Sequence, residues 1–224
     1  MYQINAFTQA EEARLAVDLA GKLGYNVSEA RPTSSFIRTV QPIVATANQY
    51  TFPIKNTDPG ANDYVVNNLV DQQNIFVCFS IGMFVTLGAD TASNLVPYTY
   101  VNTTVITTSG APAALLNLWN GTLTVSVNQI QLLPAWDVLR HYAVPDTQQQ
   151  SLITYSAATP IPLVDSINGA ITGQFPIQKG VILNGAANTI WQLTLPNAIG
   201  TVQSTSRIEF LMRGQLLVNV TTVK

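Results

Sequence analysis

Two side chains in this sequence are candidates for chemistry, Cys78 and His141, each the only residue of its kind. A thiol and an imidazole need not be neighbours in sequence, so a fold that joined them would create a nucleophile and its base. Their local contexts argue otherwise. Cys78 lies in Asn74-Ile-Phe-Val-Cys-Phe-Ser-Ile-Gly-Met-Phe-Val-Thr-Leu-Gly88, the densest apolar run of the chain. A thiol buried in such surroundings has a raised pKa and low reactivity. His141 sits in Trp136-Asp-Val-Leu-Arg-His-Tyr142. An unperturbed imidazole there would titrate near neutrality, but nothing beside it asks for a base. It reads as a satisfied or surface histidine.

Other reaction classes fail on residue supply. One Cys and one His cannot complete a tetrahedral zinc site. Glycoside hydrolysis needs paired carboxylates, yet the chain has 12 acidic residues and Glu209 is its only Glu after Glu29. No Gly-rich phosphate loop and no G-x-S-x-G elbow occurs. The loop Asn56-Thr-Asp-Pro-Gly-Ala-Asn-Asp63 collects oxygen ligands, but its spacing matches no calcium loop and reads as turn chemistry. Sugar binding uses exposed aromatics with Asn and Gln. Trp119, Trp136 and Trp191 are candidates, with Tyr98 and Tyr100, although each Trp stands among Leu, Val or Ile and suits a core or an interface better. The expectation is therefore no enzyme, with no catalytic, cofactor-binding or metal residues and no cofactor.

Composition narrows the partners. Charged residues make up 10% of the chain, against a usual ~25%, while Asn, Gln and Thr supply about a quarter of it. Such a surface is neutral and polar, or is covered by other subunits. The net charge of −2 allows identical chains to pack closely. Strong nucleic-acid binding is not expected, because it needs many clustered Lys and Arg. No apolar run reaches the ~20 residues of a membrane-spanning helix. Met1-Tyr-Gln-Ile-Asn5 lacks the positive-then-apolar pattern of a secretory signal. The sequons at Asn26, Asn102, Asn120 and Asn219 are those expected by chance in a chain rich in Asn and Thr.

The elements that would position these residues are mostly strands. Residues 8–24 are the one clear helix: Thr8 with Glu11 forms a capping box, Ala13, Ala16, Val17, Ala20 and Leu23 share a face, and Gly24 stops it. With residues 25–34 as a connector, it makes an N-terminal unit of residues 1–34. Residues 35–224 then form one β domain. Ser35 to Val44 is a strand interrupted by Pro42, hence an edge or a bulge. Gln49 to Lys55 alternates strictly. Asn74 to Gly88 suits a central strand covered on both faces, or a pair kinked at Gly82. Tyr64 to Gln73 reads as a short helical turn or an irregular crossing and residues 98–108 as a Thr-rich strand or strand pair. Thr122 to Leu133 alternates with a slip at Asn128-Gln129 that suggests a bulge. Asp146 to Gln150 reads as an exposed loop. Strands fit Leu152 to Ala157, Ile161 to Ile167 and Ile190 to Leu195, with short apolar islands at Phe175 to Ile177 and Val181 to Leu183. Arg207 to Val220 is a long strand that Gly214 bends or breaks. Roughly eight to ten strands with uneven turns predict a mostly β, antiparallel β-sandwich of jelly-roll type with an N-terminal α-helix.

In Arg38-Thr-Val-Gln-Pro42 leading into Tyr50-Thr-Phe-Pro-Ile54, then Asn74-Ile-Phe-Val77 and Ile81-Gly-Met-Phe84, the chain resembles the jelly-roll capsid proteins of tailless icosahedral bacteriophages. The likeness spans roughly residues 35–90 and lies in texture rather than in a diagnostic motif. It implies a structural virion protein that self-assembles into a shell in the host cytoplasm. Its partners would be copies of itself and other virion proteins. At this length the resemblance implies a single jelly roll or an unusually compact double one. A carbohydrate-binding β-sandwich is the competing expectation.

Overall fold

A computed structural model describes residues 8–54, 70–71, 73–87, 96–100, 116–143, 173–200 and 206–222. Several expected features lie outside these residues: the loop Asn56 to Asp63, most of the crossing at Tyr64 to Gln73 and of the Thr-rich strand at 98–108, the loop Asp146 to Gln150, and the strands at Leu152 to Ala157 and Ile161 to Ile167.

The chain is mostly β. Helix α1 (Gln9–Lys22) is followed by β1 (Tyr25–Asn26), β2 (Arg31–Pro42), β3 (Gln49–Ile54), β4 (Ile75–Leu87), β5 (Val96–Tyr98), β6 (Thr122–Val127), β7 (Ile130–Asp137), β8 (Gln174–Asn184), β9 (Thr189–Thr194), β10 (Ser206–Val218) and β11 (Thr221–Thr222). Short 3-10 turns stand at Leu116–Leu118 and Val138–His141. Among the described residues every strand pair is antiparallel. One sheet runs β2-β10-β4, with β8 and β5 sharing the far edge of β4; the other runs β3-β9-β6-β7. A small ribbon joins β1 to β11. The inner faces of the two sheets meet in one core. Phe52 of β3 stands edge-on to Phe210 of β10 at 4.9 Å, with Trp191 of β9 packed against the same ring. Deleting any of these side chains to Ala would cost about 3–5 kcal/mol.

Strand β4 organises the first sheet. It pairs with β10 along its whole length on one side and with β8 and β5 on the other. Phe76, Cys78, Ile81, Met83 and Val85 point into the core between the sheets. Ile75, Val77 and Phe79 point the other way, into a second cluster with Ala16 and Ala20 of α1. A strict alternation from Phe76 would carry Ile81 and Met83 to the outside. The pairing shifts by one residue at Phe79, with Arg213 opposite Ser80 and Gly214 opposite Cys78. This bulge resets the alternation, so β4 is one bulged strand; the break falls at Phe79, not at Gly82.

Helix α1 starts as its sequence requires. Thr8 and Glu11 exchange hydrogen bonds in a full capping box, and Gly24 takes φ 85° beyond the C-cap. The helix lies on β10 and β2, and its Ala16 and Ala20 share one cluster with Ile75, Val77 and Phe79 of β4. A polar tie adds to the contact: buried Gln215 on β10 binds the Glu12 carboxylate and donates to Ser34 Oγ. The connector expected at 25–34 instead carries β1 and the first residues of β2, because Arg31 to Ser34 find partners in Gln215 to Val218.

Two further expectations change. The slip at Asn128-Gln129 is a hairpin turn between β6 and β7, with both residues at positive φ (47° and 68°). That is the geometry of a two-residue primed turn, which Asn tolerates well. The islands at Phe175 to Ile177 and Val181 to Leu183 belong to one strand, β8, which Gly180 (φ 67°) carries past the β4 bulge.

Gly214 and Gly82 face different constraints. A Cβ at Gly214 would lie 1.9 Å from the Val77 carbonyl oxygen, a backbone atom held by the bulge. At Gly82 the nearest atom, 2.2 Å away, is the amide nitrogen of Gln174. That side chain crosses β4 over the glycine, accepting from Ser80 Oγ at 3.2 Å and donating to Leu211 O at 3.4 Å. In urea unfolding, Gly214→Ala should cost about 2–3 kcal/mol or more, and Gly82→Ala clearly less because Gln174 can move. Equal stability of Gly214→Ala and wild type would refute the bulge.

Candidate functional site

Cys78 and His141 do not form a dyad. Cys78 is fully buried on the inner face of β4, and its thiol donates to Ser80 O at 3.3 Å. Burial pushes its pKa far above the ordinary thiol range, so the nucleophilic thiolate is suppressed.

His141 is also fully buried, and both of its ring nitrogens are taken. Trp136 Nε1 lies 2.9 Å from His141 Nε2, and His141 Nδ1 lies 2.7 Å from Gly173 O. An indole N–H can only donate, so Nε2 accepts and the proton sits on Nδ1, which donates to the carbonyl. The ring is thus a neutral imidazole. Burial, first of all, lowers its pKa from 6.5 to about 4; the Gly173 hydrogen bond opposes the shift. The ring of Phe175 stands edge-on to it at 5.5 Å. Arg140 lies 4.1 Å above the Trp136 ring and 6.0 Å from that of Phe175. Asp137 caps the 3-10 turn by accepting from the Leu139 N–H.

The tryptophans divide clearly. Trp119 and Trp191 are core residues, 1% and 0% exposed. Trp119 packs edge-on to Tyr142 at 5.2 Å. Trp136 is half-buried, its indole N–H is committed to His141, and Arg140 covers one ring face. Tyr98 and Tyr100 stand edge to face at 6.2 Å, and burial raises the Tyr98 pKa.

One charged pair was not singled out by sequence reasoning. On the outer face of the first sheet, Arg38 Nε lies 3.1 Å from Glu209 Oε1. The contact is one of charge rather than of an aligned hydrogen bond, since that N–H has no well-directed acceptor. Glu209 is 3% exposed, and burial raises its pKa while Arg38 pulls it back. Arg38 also lies 5.7 Å over the Phe36 ring. The sequence signal was there: Glu209 is a lone acid amid Ile208, Phe210, Leu211 and Met212. Among the described residues no three of His, Cys, Asp and Glu gather as metal ligands, and no helix is long and apolar enough to cross a membrane.

A thiol reagent such as Ellman's should therefore find no reactive group in the native protein and one per chain in denaturant. Cys78→Ala should retain the fold. Prompt modification of the native protein would contradict the burial of Cys78. Compared with known proteins, the chain matches no family model, no curated protein and no solved structure.

Proposed function

We propose that this chain is a structural shell protein of a virion, a jelly roll that assembles with copies of itself and performs no catalysis. The observation that carries the reading is the nesting of the strand pairs. Taking β2, β3, β4, β6, β7, β8, β9 and β10 as eight successive strands, the first pairs with the eighth, the second with the seventh, the third with the sixth and the fourth with the fifth. This is one long antiparallel hairpin. Rolling it up joins the eighth strand to the third and the seventh to the fourth, which are the β10–β4 and β9–β6 pairs. Double-sheet jelly rolls of two Greek keys have this form and recur in viral capsid and lectin domains.

Fold alone does not choose between those roles. The low charge supports the shell, since apolar and neutral surfaces lose little on desolvation while unpaired charges lose much. Among the described residues, four of the eight exposed large hydrophobics lie on β7 (Ile130 and Leu132) and on the 3-10 turns that precede β6 and follow β7 (Leu116 and Leu139), and they are suited to cover by a neighbouring subunit. The carbohydrate reading has less to build on, because Trp119 and Trp191 are buried and Arg140 covers Trp136. In this reading the chain resides in virions assembled in the host cytoplasm.

Light scattering and electron microscopy of the purified protein test the proposal. Closed particles of uniform size are expected. A Leu132→Lys, Leu139→Lys variant should assemble poorly while unfolding within about 0.5 kcal/mol of wild type per substitution, as surface changes do. A dispersed monomer at high concentration, with tryptophan fluorescence that responds to a glycan panel, would replace the shell by the lectin-like module.

A further inference from the structure

We propose that His141 is an acid-operated latch that holds the two sheets together at one end of the molecule. The geometry points to this independently of whether the chain builds a shell. His141 ends the 3-10 turn that follows β7 of the second sheet, while its Nδ1 partner, Gly173 O, directly precedes β8 of the first. The 3-10 turn that carries it exits against the segment after β5, where Ala143 N–H donates to Thr99 O at 3.0 Å. One imidazole thus ties together chain segments from both sheets.

The latch closes only around the neutral ring. Nε2 must offer a lone pair to the Trp136 N–H, and Nδ1 must offer a proton to Gly173 O. Adding a proton to Nε2 sets two N–H groups against each other at 2.9 Å and places a cation in a fully buried position. Little nearby would welcome that cation. From its own side, Arg140 opposes it, and Asp137 is the one carboxylate that favours it. From β8, Gly173 to Ile177 present no charged residue, and β4 carries none from Ile75 to Leu87. Tyr98, at the end of β5, has a pKa raised by burial and brings no charge to the ring. On β10, Glu209 stands opposite Phe84, Arg207 opposite Thr86 and Arg213 opposite Ser80. Glu209 is itself buried with a raised pKa, so acid neutralises it rather than recruiting it to stabilise an imidazolium.

The sign follows from the depressed pKa. Above about 6.5 the imidazole is neutral whether latched or released, and the latch contributes fully. Between 6.5 and about 4 the released form takes up a proton that the latched form refuses. Each pH unit then favours release tenfold, up to about 300-fold across that interval.

Because the chain has one histidine, ¹⁵N-histidine labelling reports on this ring alone, in solution or in an assembled particle. The expected result is the Nδ1–H tautomer at neutral pH, with protonation delayed to about pH 4–5 and accompanied by loss of the Trp136 indole hydrogen bond. His141→Gln supplies one acceptor and one donor but cannot titrate, so it should hold the Trp136 signal constant through the same range. Three results would overturn the latch: protonation between pH 6 and 7, protonation without change at Trp136, or the same acid transition in His141→Gln.

Discussion

The fold depends on β4 being buried from both sides. A strand alternates its side chains with a strict period of two, so a strand with one wet face can alternate apolar and polar residues. The first half of β4 has no wet face: Phe76 and Cys78 look into the core between the sheets, and Ile75, Val77 and Phe79 look at the alanines of α1. Its sequence must therefore be apolar without interruption, and it is. The bulge at Phe79 then shifts the second half by one position, so that Ile81, Met83 and Val85 remain in the core. Gly214 across from the bulge, Gly180 on the other flank and the alanine face of α1 all follow from accommodating that one strand.

This explains which parts of the fold were legible in the sequence. The unbroken apolar run, the capping box at Thr8 and Glu11, and the alternation of Tyr50 and Phe52 are local signals, and each marks a real element. The misreadings came from features whose meaning is set by a partner strand. Asn128-Gln129 looks the same as a bulge or as a turn until Val127 is seen to pair with Ile130. Gly180 looks like a break until β4 supplies the bulge that it must pass. Arg31 to Ser34 carry no strand pattern of their own and become a strand because β10 extends beside them. Of the candidate chemistry, the burial of Cys78 was readable from its neighbours. The placement of His141 was not, because Gly173 lies 32 residues further along the chain.

Two of the buried ionisable groups, His141 and Glu209, are managed differently. His141 is kept neutral by giving each nitrogen the partner that suits only the neutral tautomer. Glu209 is kept beside a cation, Arg38, whose guanidinium remains partly in water. Water on the arginine side limits the desolvation cost that a fully enclosed pair would carry. Neither arrangement leaves a group poised for proton transfer to a bound molecule, since the histidine is sealed and the carboxylate is paired.

Proline placement separates the strands more sharply than any hydrophobic pattern does. In the two large sheets, β2, β3, β5, β7 and β8 each have a partner on one side only, or share the flank of β4. Each contains a proline: Pro32 and Pro42, Pro53, Pro97, Pro134 and Pro176 respectively. The interior strands β4, β6, β9 and β10 contain none. A proline has no N–H to give to a ladder, so it is excluded from positions with neighbours on both sides and tolerated at an edge. The same residue also spoils the edge as a template for another chain's strand. Copies of such a molecule are therefore steered away from open-ended pairing of strand to strand. In the shell reading proposed above, contacts between them would run through side-chain surfaces such as Ile130, Leu132 and Leu139, which are exposed. Contacts of that kind have a fixed geometry and can close on themselves, whereas continuous strand addition favours fibres.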